Sequence, residues 1–141
     1  MKSNMPISVR AVIIQDGKIL VLRREFDNND TIWTFPGGHV EKFDKDEKEA
    51  LQRECEEEVN LEIKVGEKIF KQNFKGNINH FYLCSIVKGE AGYGNGPEYT
   101  QPEKYHGSHD PEWLLINDLD SYDLKPNELR DVIFKKYKIS Q

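Results

Sequence analysis

The chain contains 141 residues, of which 32% are charged, and carries a formal net charge of −5. A chain of this length is one ordinary domain that is large enough to bury a core, so we expect a single domain over residues 1–141. The acidic balance argues against a nucleic-acid polymer as partner, because binding a phosphate backbone requires clustered Lys and Arg, and no apolar run approaches the roughly 20 residues of a membrane span.

The first elements form a predicted hairpin. Residues 7–14 (ISVRAVII) and 18–24 (KILVLRR) are apolar and rich in β-branched side chains, which favours strands. Residues 15–17 (QDG) separate them, and Asp-Gly between two apolar runs is typical of a tight hairpin turn. Residues 32–35 (IWTF) predict a short strand that is stopped by the PGG sequence at residues 36–38, where we expect a tight, irregular turn.

A helix with both ends marked follows. Asp46 is a candidate N-cap, because Glu49 follows three residues later in the pattern of a capping box. Asn60 fits the left-handed residue that follows the last turn of a helix. Between these ends, one apolar stripe recurs every fourth residue at Leu51, Cys55 and Val59. The sequence therefore predicts an amphipathic helix between Asp46 and Asn60.

The second half of the chain alternates strands with one long connection. Strands are predicted at residues 61–70, 78–87 and 113–116. Residues 89–111 are rich in Gly, Pro and Tyr; loops of that length are often functional, and a small hairpin inside the segment is the alternative. Helical spacing of apolar residues predicts a closing helix from Pro126 onward, with the apolar positions Leu129, Val132, Ile133 and Tyr137. We expect one α+β or α/β unit.

The sequence RECEEEVN at residues 53–60 concentrates four glutamates in the predicted helix. At 100° per residue, Glu54, Glu57 and Glu58 fall within one arc of about 100°, at the margin of the apolar stripe. Arg53 lies i,i+4 to Glu57 and can hold it in position, whereas Glu56 lies far round the helix and is expected in solvent. Two interpretations are open at this point: a solvated acidic face, or a site for a hard cation such as Mg²⁺.

The context of the helix favours the cation site. Residues 36–61 read PGGHVEKFDKDEKEALQRECEEEVNL and resemble the Nudix box, the signature of hydrolases that act on a nucleoside diphosphate linked to another moiety. The family pattern is a Gly, five residues, a Glu, seven residues, and then Arg-Glu-apolar-x-Glu-Glu-x-Gly-apolar. The matching residues are Gly38, Arg53, Glu54, Cys55, Glu57, Glu58 and Leu61, with Asn60 in place of the second Gly.

The resemblance has one defined departure. The box is one residue too long before Arg53, so the isolated Glu of the pattern falls on Asp44 when counted from the front and on Lys45 when counted from the helix. Phe43 stands where a Gly usually precedes that Glu. Asp44 is the better candidate for its bracing role. The insertion precedes the N-cap, where a loop can absorb it without moving the helix carboxylates.

The resemblance implies a fold, a reaction and a set of site residues. It implies an α/β fold, a Nudix-type α/β/α sandwich with a mixed central sheet and a catalytic loop–helix–loop. It implies metal-dependent hydrolysis of a diphosphate linkage, with Mg²⁺ or Mn²⁺ held by the carbonyl of Gly38 and by Glu54, Glu57 and Glu58. The implied catalytic residues are Glu57, Arg53, Glu54 and Glu98. In the family, the general base is sometimes a box Glu and sometimes a later acid, for which the candidates are Glu98, Glu103 and Glu112; each is otherwise a solvated loop residue.

The substrate is expected to be a small molecule of the nucleotide type. Candidates to stack on its base are Trp33, Phe26, Tyr93, Tyr99 and Tyr105, of which the loop tyrosines are favoured because a Trp before such a turn is more often a core residue. Arg23 and Arg24 end a strand near the box and are candidates for phosphate contacts, or else exposed strand-end residues. The four histidines, His39, His80, His106 and His109, do not form a zinc set.

Location, assembly and competing functions complete the expectations. Met1 to Pro6 is polar, which indicates no signal peptide, and Cys55 and Cys84 lack CxxC spacing, so we expect reduced core cysteines in a cytoplasmic protein. Homodimers are frequent in the family, although no feature of the sequence indicates one. The alternatives to the enzyme are a Nudix-like module that binds a nucleotide without cleaving it, and a structural protein whose acidic helix only keeps it soluble.

Overall fold

The computed structural model describes residues 6–101 and 107–139. Its strands are β1 (Ile7–Gln15), β2 (Lys18–Glu25), β3 (Thr31–Thr34), β4 (Gly37–His39), β5 (Glu62–Phe74), β6 (Asn77–Lys88), β7 (Asp110–Leu115) and β8 (Leu124–Lys125). Its helices are α1 (Glu47–Val59), α2 (Pro97–Thr100) and α3 (Asn127–Tyr137), with a 3-10 helix at Ile116–Ser121. Among the described helices, none is long and apolar enough to cross a membrane.

The strands form one mixed sheet in the order β5-β6-β1-β2-β3-β8, with β4 paired to β1 and β7 paired to β2. The β1–β6 and β3–β8 pairs are parallel, and the other pairs are antiparallel. Strand β1 alternates between two cores: Val9 and Ala11 pack in the cluster that contains the stripe of α1, and Val12 packs with residues of α3. Helices therefore cover both faces of the sheet, which confirms the predicted α/β fold.

The Pro-Gly-Gly sequence is not the irregular turn that was expected. Gly37 and Gly38 belong to β4, which pairs antiparallel with β1 so that Val9 lies opposite Gly38. Gly37 has φ 153°, and a Cβ there would lie 1.9 Å from the carbonyl oxygen of Val9. The glycines allow the backbone to lie directly over β1, so a signal that normally breaks structure here permits a strand.

Helix α1 begins and ends at the predicted residues. The side chain of Asp46 accepts a hydrogen bond of 2.8 Å from the backbone N–H of Glu49, and Asn60 adopts the left-handed conformation with φ 61°. The stripe Leu51, Cys55 and Val59 is fully buried. Both cysteines are free thiols in the interior, as expected. Because both caps and the stripe are satisfied, the direction in which the glutamates point is fixed by the packing of α1.

The β5–β6 hairpin is longer than the apolar pattern predicts. Strand β5 continues to Phe74 and β6 begins at Asn77, with Lys75 and Gly76 in the turn at positive φ. The sequence over these residues (KQNFKGN) is mostly polar, so it lacks the alternation that identifies a half-buried strand. The extension carries Gln72 and Phe74, which line a cavity together with side chains of β1 and β2.

The long connection and the C-terminal region differ in part from expectation. The described part of residues 89–111 contains the short helix α2 and the start of β7, and no hairpin. The 3-10 helix at Ile116–Ser121 and the two-residue strand β8 were not predicted. Helix α3 is confirmed, with Leu129 and Ile133 buried, but Val132 is 53% exposed and does not belong to its packed face.

Candidate active site

Glu58 is the most buried carboxylate of the cleft beside α1. Its side chain turns toward the sheet, where Oε1 accepts a hydrogen bond of 2.7 Å from the backbone N–H of Gly37, and the residue is only 6% exposed. Burial raises the pKa of Glu58 to about 8, although Arg10 and the Gly37 N–H both act to lower it. The β4 backbone and the glutamate helix are therefore joined by a buried carboxyl group.

Glu54 lies directly against Gly38. A Cβ built on Gly38 would stand 2.5–2.6 Å from the carboxyl atoms of Glu54, so only glycine leaves room for the carboxylate in this position. Burial raises the pKa of Glu54, and neighbouring Glu57 adds to that effect while Arg53 opposes it. Gly38 of β4 and Glu54 of α1, two of the predicted site residues, therefore lie directly against each other.

Arg53 connects the acidic residues of the cleft. Its Nη1 donates to Glu54 Oε1 at 3.1 Å and to Glu57 Oε2 at 3.2 Å, the second being the predicted i,i+4 pair. Its Nε and Nη2 donate to the two carboxylate oxygens of Asp44 at 3.0 and 2.8 Å, and Nη2 also donates to the carbonyl of His39 at 3.2 Å. One guanidinium therefore holds two helix glutamates, the loop and the end of β4 together.

The sequence left the bracing position of the box to either Asp44 or Lys45. In the structure, Asp44 is the residue that contacts Arg53. Besides its bidentate pair with Arg53, Asp44 accepts a hydrogen bond of 2.8 Å from the backbone N–H of Glu41, and these bonds lower its pKa. Lys45 is exposed. Phe43 is 72% exposed, with the Arg53 guanidinium 5.0 Å from its ring centroid. The loop absorbs the extra residue while Asp44 stays in contact with the arginine.

Glu98 reaches the same cleft from α2. Its buried Oε1 has no hydrogen-bond partner among the described residues. Burial raises the pKa of Glu98, and the charge of Glu57 raises it further. Of the other late acids, Glu112 lies in β7 and pairs with Arg23 at 3.8 Å outside the cleft, and Glu103 lies outside the described residues. Glu56 is exposed, as predicted.

Two adjoining cavities make up the cleft. The acidic cavity, of about 410 Å³, is lined by Glu54, Glu57, Glu58 and Glu98 together with His39, Phe43 and His109. The apolar cavity, of about 460 Å³, is lined by Ile32, Phe35, Phe74 and Phe81 with the amides of Gln72 and Asn79. Arg10, Arg24 and Thr34 line both cavities. Positive charge therefore stands at the junction of an acidic and an apolar compartment.

Sequence reasoning identified Arg24 as a candidate at this junction but missed Arg10 and Thr34. Arg10 lies within an apolar run, and its Nη1 donates to the carbonyl of Phe35 at 3.2 Å. Of the two predicted arginines, Arg24 lines the cleft and its Nε donates to the carbonyl of Ser108 at 2.9 Å. Arg23 instead pairs with acids of β2 and β7, namely Glu25, Asp110 and Glu112. Strand alternation, which puts neighbouring arginines on opposite faces, could have separated Arg23 from Arg24.

The described aromatic residues proposed for stacking do not line these two cavities, although Tyr93 lines a further cavity together with Arg53 and Glu57. Trp33 packs edge to face with Tyr122 at 4.9 Å, and Phe26 lies beneath the guanidinium of Arg24. Tyr93 and Tyr99 pack against each other, and Tyr105 lies outside the described residues. The rings that line the apolar cavity are Phe35, Phe74 and Phe81. They were missed because an inward-facing Phe in a strand has the same sequence pattern whether it packs in a core or lines a cavity.

The histidines take separate roles. His39 contacts Ser8 Oγ at 3.0 Å, and His80 Nδ1 lies 2.6 Å from Glu47 Oε1 in the first turn of α1. Burial and neighbouring Arg24 lower the pKa of His109 to about 4, so its ring is neutral at pH 7. His106 lies outside the described residues. Within residues 6–101 and 107–139, no three His, Cys, Asp or Glu side chains already stand together at metal-ligand distances.

Comparison with known proteins identifies the family. A family model described as the NUDIX domain matches residues 5–135. The chain belongs to the NUDIX family. It is 38% identical over 81 residues to a CTP pyrophosphohydrolase of Escherichia coli (strain K12), a match that covers 55% of this chain and 59% of that enzyme. The chain thus matches about three fifths of the length of this curated relative.

Solved structures have the same fold. The solution structure of the E. coli ORF135 protein aligns with a TM-score of 0.64 at 26% identity, covering 93% of this chain and 86% of that one. A structure described as MutT from Aliivibrio salmonicida and Vibrio cholerae aligns with a TM-score of 0.68 at 20% identity, covering 94% of this chain and 98% of that one. The second likeness shows the NUDIX fold alone, and the resemblance seen in residues 36–61 is confirmed at the level of the family.

Proposed function

We propose that the chain is a metal-dependent pyrophosphohydrolase that cleaves the diphosphate linkage in a nucleoside diphosphate bonded to another moiety. The observation that carries the proposal is the junction described above, where Arg10 and Arg24 lie between an apolar cavity and a cavity lined by Glu54, Glu57, Glu58 and Glu98. The NUDIX family and the similarity to a CTP pyrophosphohydrolase support the same reaction class. The net charge of −5 supports a small nucleotide rather than a nucleic-acid polymer as substrate.

The residues of the acidic cavity fit a divalent cation, Mg²⁺ or Mn²⁺. Glu54, Glu57, Glu58 and the carbonyl of Gly38 offer only oxygen donors, which these ions prefer. The pKa values of Glu54 and Glu58 are raised in the absence of a cation, as expected for crowded, desolvated carboxyl groups that a positive charge would ionise. When bound, the metal would neutralise charge on the phosphoryl oxygens and lower the pKa of a water.

The protein side chains orient the metal ligands and accept the proton. Arg53 holds Glu54 and Glu57 by hydrogen bonds of 3.1 and 3.2 Å, so both carboxylates are presented from one side of the helix. Glu98 reaches the cavity from α2, and its buried Oε1, which has no hydrogen-bond partner among the described residues, is available to accept a proton from the attacking water. Glu57 is the second candidate for that proton, since it lies at the same cavity.

The apolar cavity suits the nucleoside. Its volume of about 460 Å³ lies in the range of small-molecule sites, and it combines phenyl rings with the neutral amides of Gln72 and Asn79. Register places Arg10 opposite Gly37 on one side and Phe81 on the other, so Arg10 lies between the glutamate helix and the apolar cavity. A nucleotide with its base against Phe81 would lay its phosphates along Arg10 and Arg24 toward the glutamates.

The proposal is tested with a substrate panel. Purified protein is assayed for phosphate, pyrophosphate or nucleoside monophosphate release from dNTPs, nucleotide sugars, dinucleotides and ADP-ribose, with Mg²⁺, with Mn²⁺ and with EDTA. We expect turnover of at least one class that depends on the added metal and stops with EDTA. Binding of nucleotides without product under every metal condition would instead identify a non-catalytic nucleotide-binding module.

A further inference from the structure

We propose that Tyr99 is a positioning residue that holds Glu98 over the glutamates of α1, a role that rests on the proposed function. Tyr99 follows Glu98 in α2, and its hydroxyl donates a hydrogen bond of 2.7 Å to the backbone carbonyl of Glu58. One side chain thus ties the segment that carries Glu98 to the helix that carries Glu58.

The backbone that precedes α2 is attached to the same end of α1. The N–H of Gly96 donates to the carbonyl of Glu57 at 2.9 Å, and the N–H of Gly92 donates to the carbonyl of Val59 at 3.0 Å. Carbonyls in the last turn of a helix have no partner inside it, so these bonds and the tyrosine hydroxyl satisfy three consecutive carbonyls. The approach is close, since a Cβ on Gly94 would lie 1.9 Å from the Glu57 carbonyl oxygen.

The ring of Tyr99 has a second anchor. Tyr93 packs edge to face against it, with ring centroids 5.5 Å apart and planes at 90°. The hydroxyl of Tyr93 donates a hydrogen bond of 2.6 Å to Asp110, the first residue of β7. Oδ2 of Asp110 in turn lies 3.8 Å from Nη2 of Arg23 in β2. Tyr99 is therefore held between the last turn of α1 and the edge of the sheet, and its position is defined on both sides.

The position of the Glu98 carboxylate depends on this attachment, because its own contacts do little to fix it. Its buried Oε1 makes no hydrogen bond among the described residues, and α2 has only four residues. The location of the carboxylate therefore follows the backbone of α2, which Tyr99 fixes. Tyr99 does not line either of the two cavities, so the effect proposed for it passes through its neighbours.

The test compares Tyr99→Phe with wild-type protein and with Tyr137→Phe, a matched control in α3 outside both cavities. The phenylalanine keeps the ring and removes one hydroxyl, so the fold is expected to survive, which is checked by melting temperature. Because small displacements of catalytic groups reduce rates steeply, we expect kcat to fall about tenfold for Tyr99→Phe, with little change in KM. Tyr137→Phe should match wild type in both parameters.

A double variant distinguishes positioning of Glu98 from any other effect of the hydroxyl. If Tyr99 acts through Glu98, adding Tyr99→Phe to Glu98→Gln should lower kcat by less than about twofold beyond the single Glu98→Gln change. Losses that multiply would show that the tyrosine acts independently of Glu98 and would overturn the proposal. Equal kcat for Tyr99→Phe and wild type would overturn it as well.

Amide hydrogen exchange gives a readout that does not require turnover. Loss of the hydroxyl should accelerate exchange at Gly92 and Gly96, whose N–H groups are bonded to α1, while amides inside β1 stay unchanged. Unchanged exchange at both glycines would refute the attachment. Wild-type protein without metal-dependent turnover would refute the proposed function and the role of Tyr99 together, whereas wild-type turnover with a normal Tyr99→Phe variant would refute the positioning alone.

Discussion

At the scale of single residues, burial separates the glutamates of the cleft into different electrostatic environments. Glu58 is enclosed by the core, and its pKa is raised to about 8, mainly by desolvation. Glu54 and Glu98 also have raised pKa values, for the same first cause. Glu57 is partly exposed and bonded to Arg53. A cation placed among them would offset the cost of burying ionised carboxyl groups and reduce their mutual repulsion.

Replacing Glu57 by Gln should remove most of the activity. The substitution keeps the size and hydrogen-bonding capacity of the side chain and deletes one negative charge at the cleft, and losing a group that stabilises developing charge costs about 10²–10³ in kcat. Steady-state kinetics on the best substrate of the panel measures the loss. Glu56→Gln, on the exposed side of the same helix, is the matched control and should retain wild-type kcat. A loss of less than about tenfold at Glu57 would contradict the proposed site.

Glu58→Gln should make the metal-free protein more stable at alkaline pH. An unfolded chain releases the Glu58 proton near pH 4.3, whereas the folded protein retains it up to about pH 8. The unfolded state therefore binds fewer protons between these values, and the free energy of unfolding falls as pH rises through this window. One pKa unit corresponds to about 1.4 kcal/mol. The free energy of unfolding of Glu58→Gln should therefore exceed that of the wild-type protein by up to a few kcal/mol at pH 8.

Urea unfolding in EDTA at pH 5, 6.5 and 8 measures this difference. The advantage of Glu58→Gln should grow along the series. It should be small at pH 5, which lies less than about one unit above the unfolded pKa, so the wild-type protein has lost little stability there. The Gly37 N–H can still donate to the amide oxygen, so the comparison isolates charge. Glu56→Gln should show no such trend. A Glu58→Gln protein that is less stable than wild type at pH 8 would contradict the assigned pKa direction.

At the scale of elements, residues 36–61 are fixed to the sheet at both ends of the segment, through β4 and through α1. Helix α1 is attached to the sheet by its buried stripe, and β4 is attached by its pairing with β1. Between them, Arg53 and Asp44 close the loop. The extra residue of the loop leaves these contacts in place, because it lies where the chain is exposed and free of regular pairing.

Neighbouring glycines of β4 should respond differently to alanine. A Cβ on Gly37 meets the backbone of Val9 and Arg10 at 1.9–2.9 Å, and backbone cannot yield cheaply. The three atoms nearest to a Cβ on Gly38 all belong to the flexible carboxyl end of Glu54. We therefore expect Gly37→Ala to lower the free energy of unfolding by more than about 2 kcal/mol, and Gly38→Ala to lower activity at nearly wild-type stability. Denaturant unfolding and kcat on both variants test this; the reverse order would contradict the placement of Glu54.

The sequence predicts elements whose ends and faces are set locally. The β1–β2 turn, the caps of α1 and its apolar stripe depend on neighbouring residues, and all of them are confirmed. Strands β4 and β8 were not predicted because they contain three and two residues and exist only through pairing with distant strands. The glutamates were found because one helix carries them, whereas Arg10 joins them from another element.

At the scale of the whole molecule, the sheet places the cleft where several elements meet. The helix supplies three glutamates, β1 and β2 supply the two arginines, and α2 supplies Glu98. The β5–β6 hairpin adds the apolar wall with Phe74 and Phe81. No local pattern in the sequence links these segments, so the junction of charge and apolar surface becomes visible only in the folded chain.

Divalent metal should stabilise the folded chain as a whole. If the acidic cavity binds Mg²⁺ in the native state and the unfolded chain does not, metal at 100 times its Kd adds about 2.7 kcal/mol to the free energy of unfolding. For a chain of this size that corresponds to several degrees in Tm, since about 1 kcal/mol shifts Tm by roughly 2–4 °C. Calorimetry with increasing MgCl₂ at constant ionic strength measures it. Glu57→Gln should reduce the metal-induced shift in Tm, and Glu56→Gln should leave it unchanged, because Glu57 lines the acidic cavity and Glu56 does not. A Tm independent of Mg²⁺ and Mn²⁺ at pH 8 would show that the acidic helix serves solubility rather than metal binding.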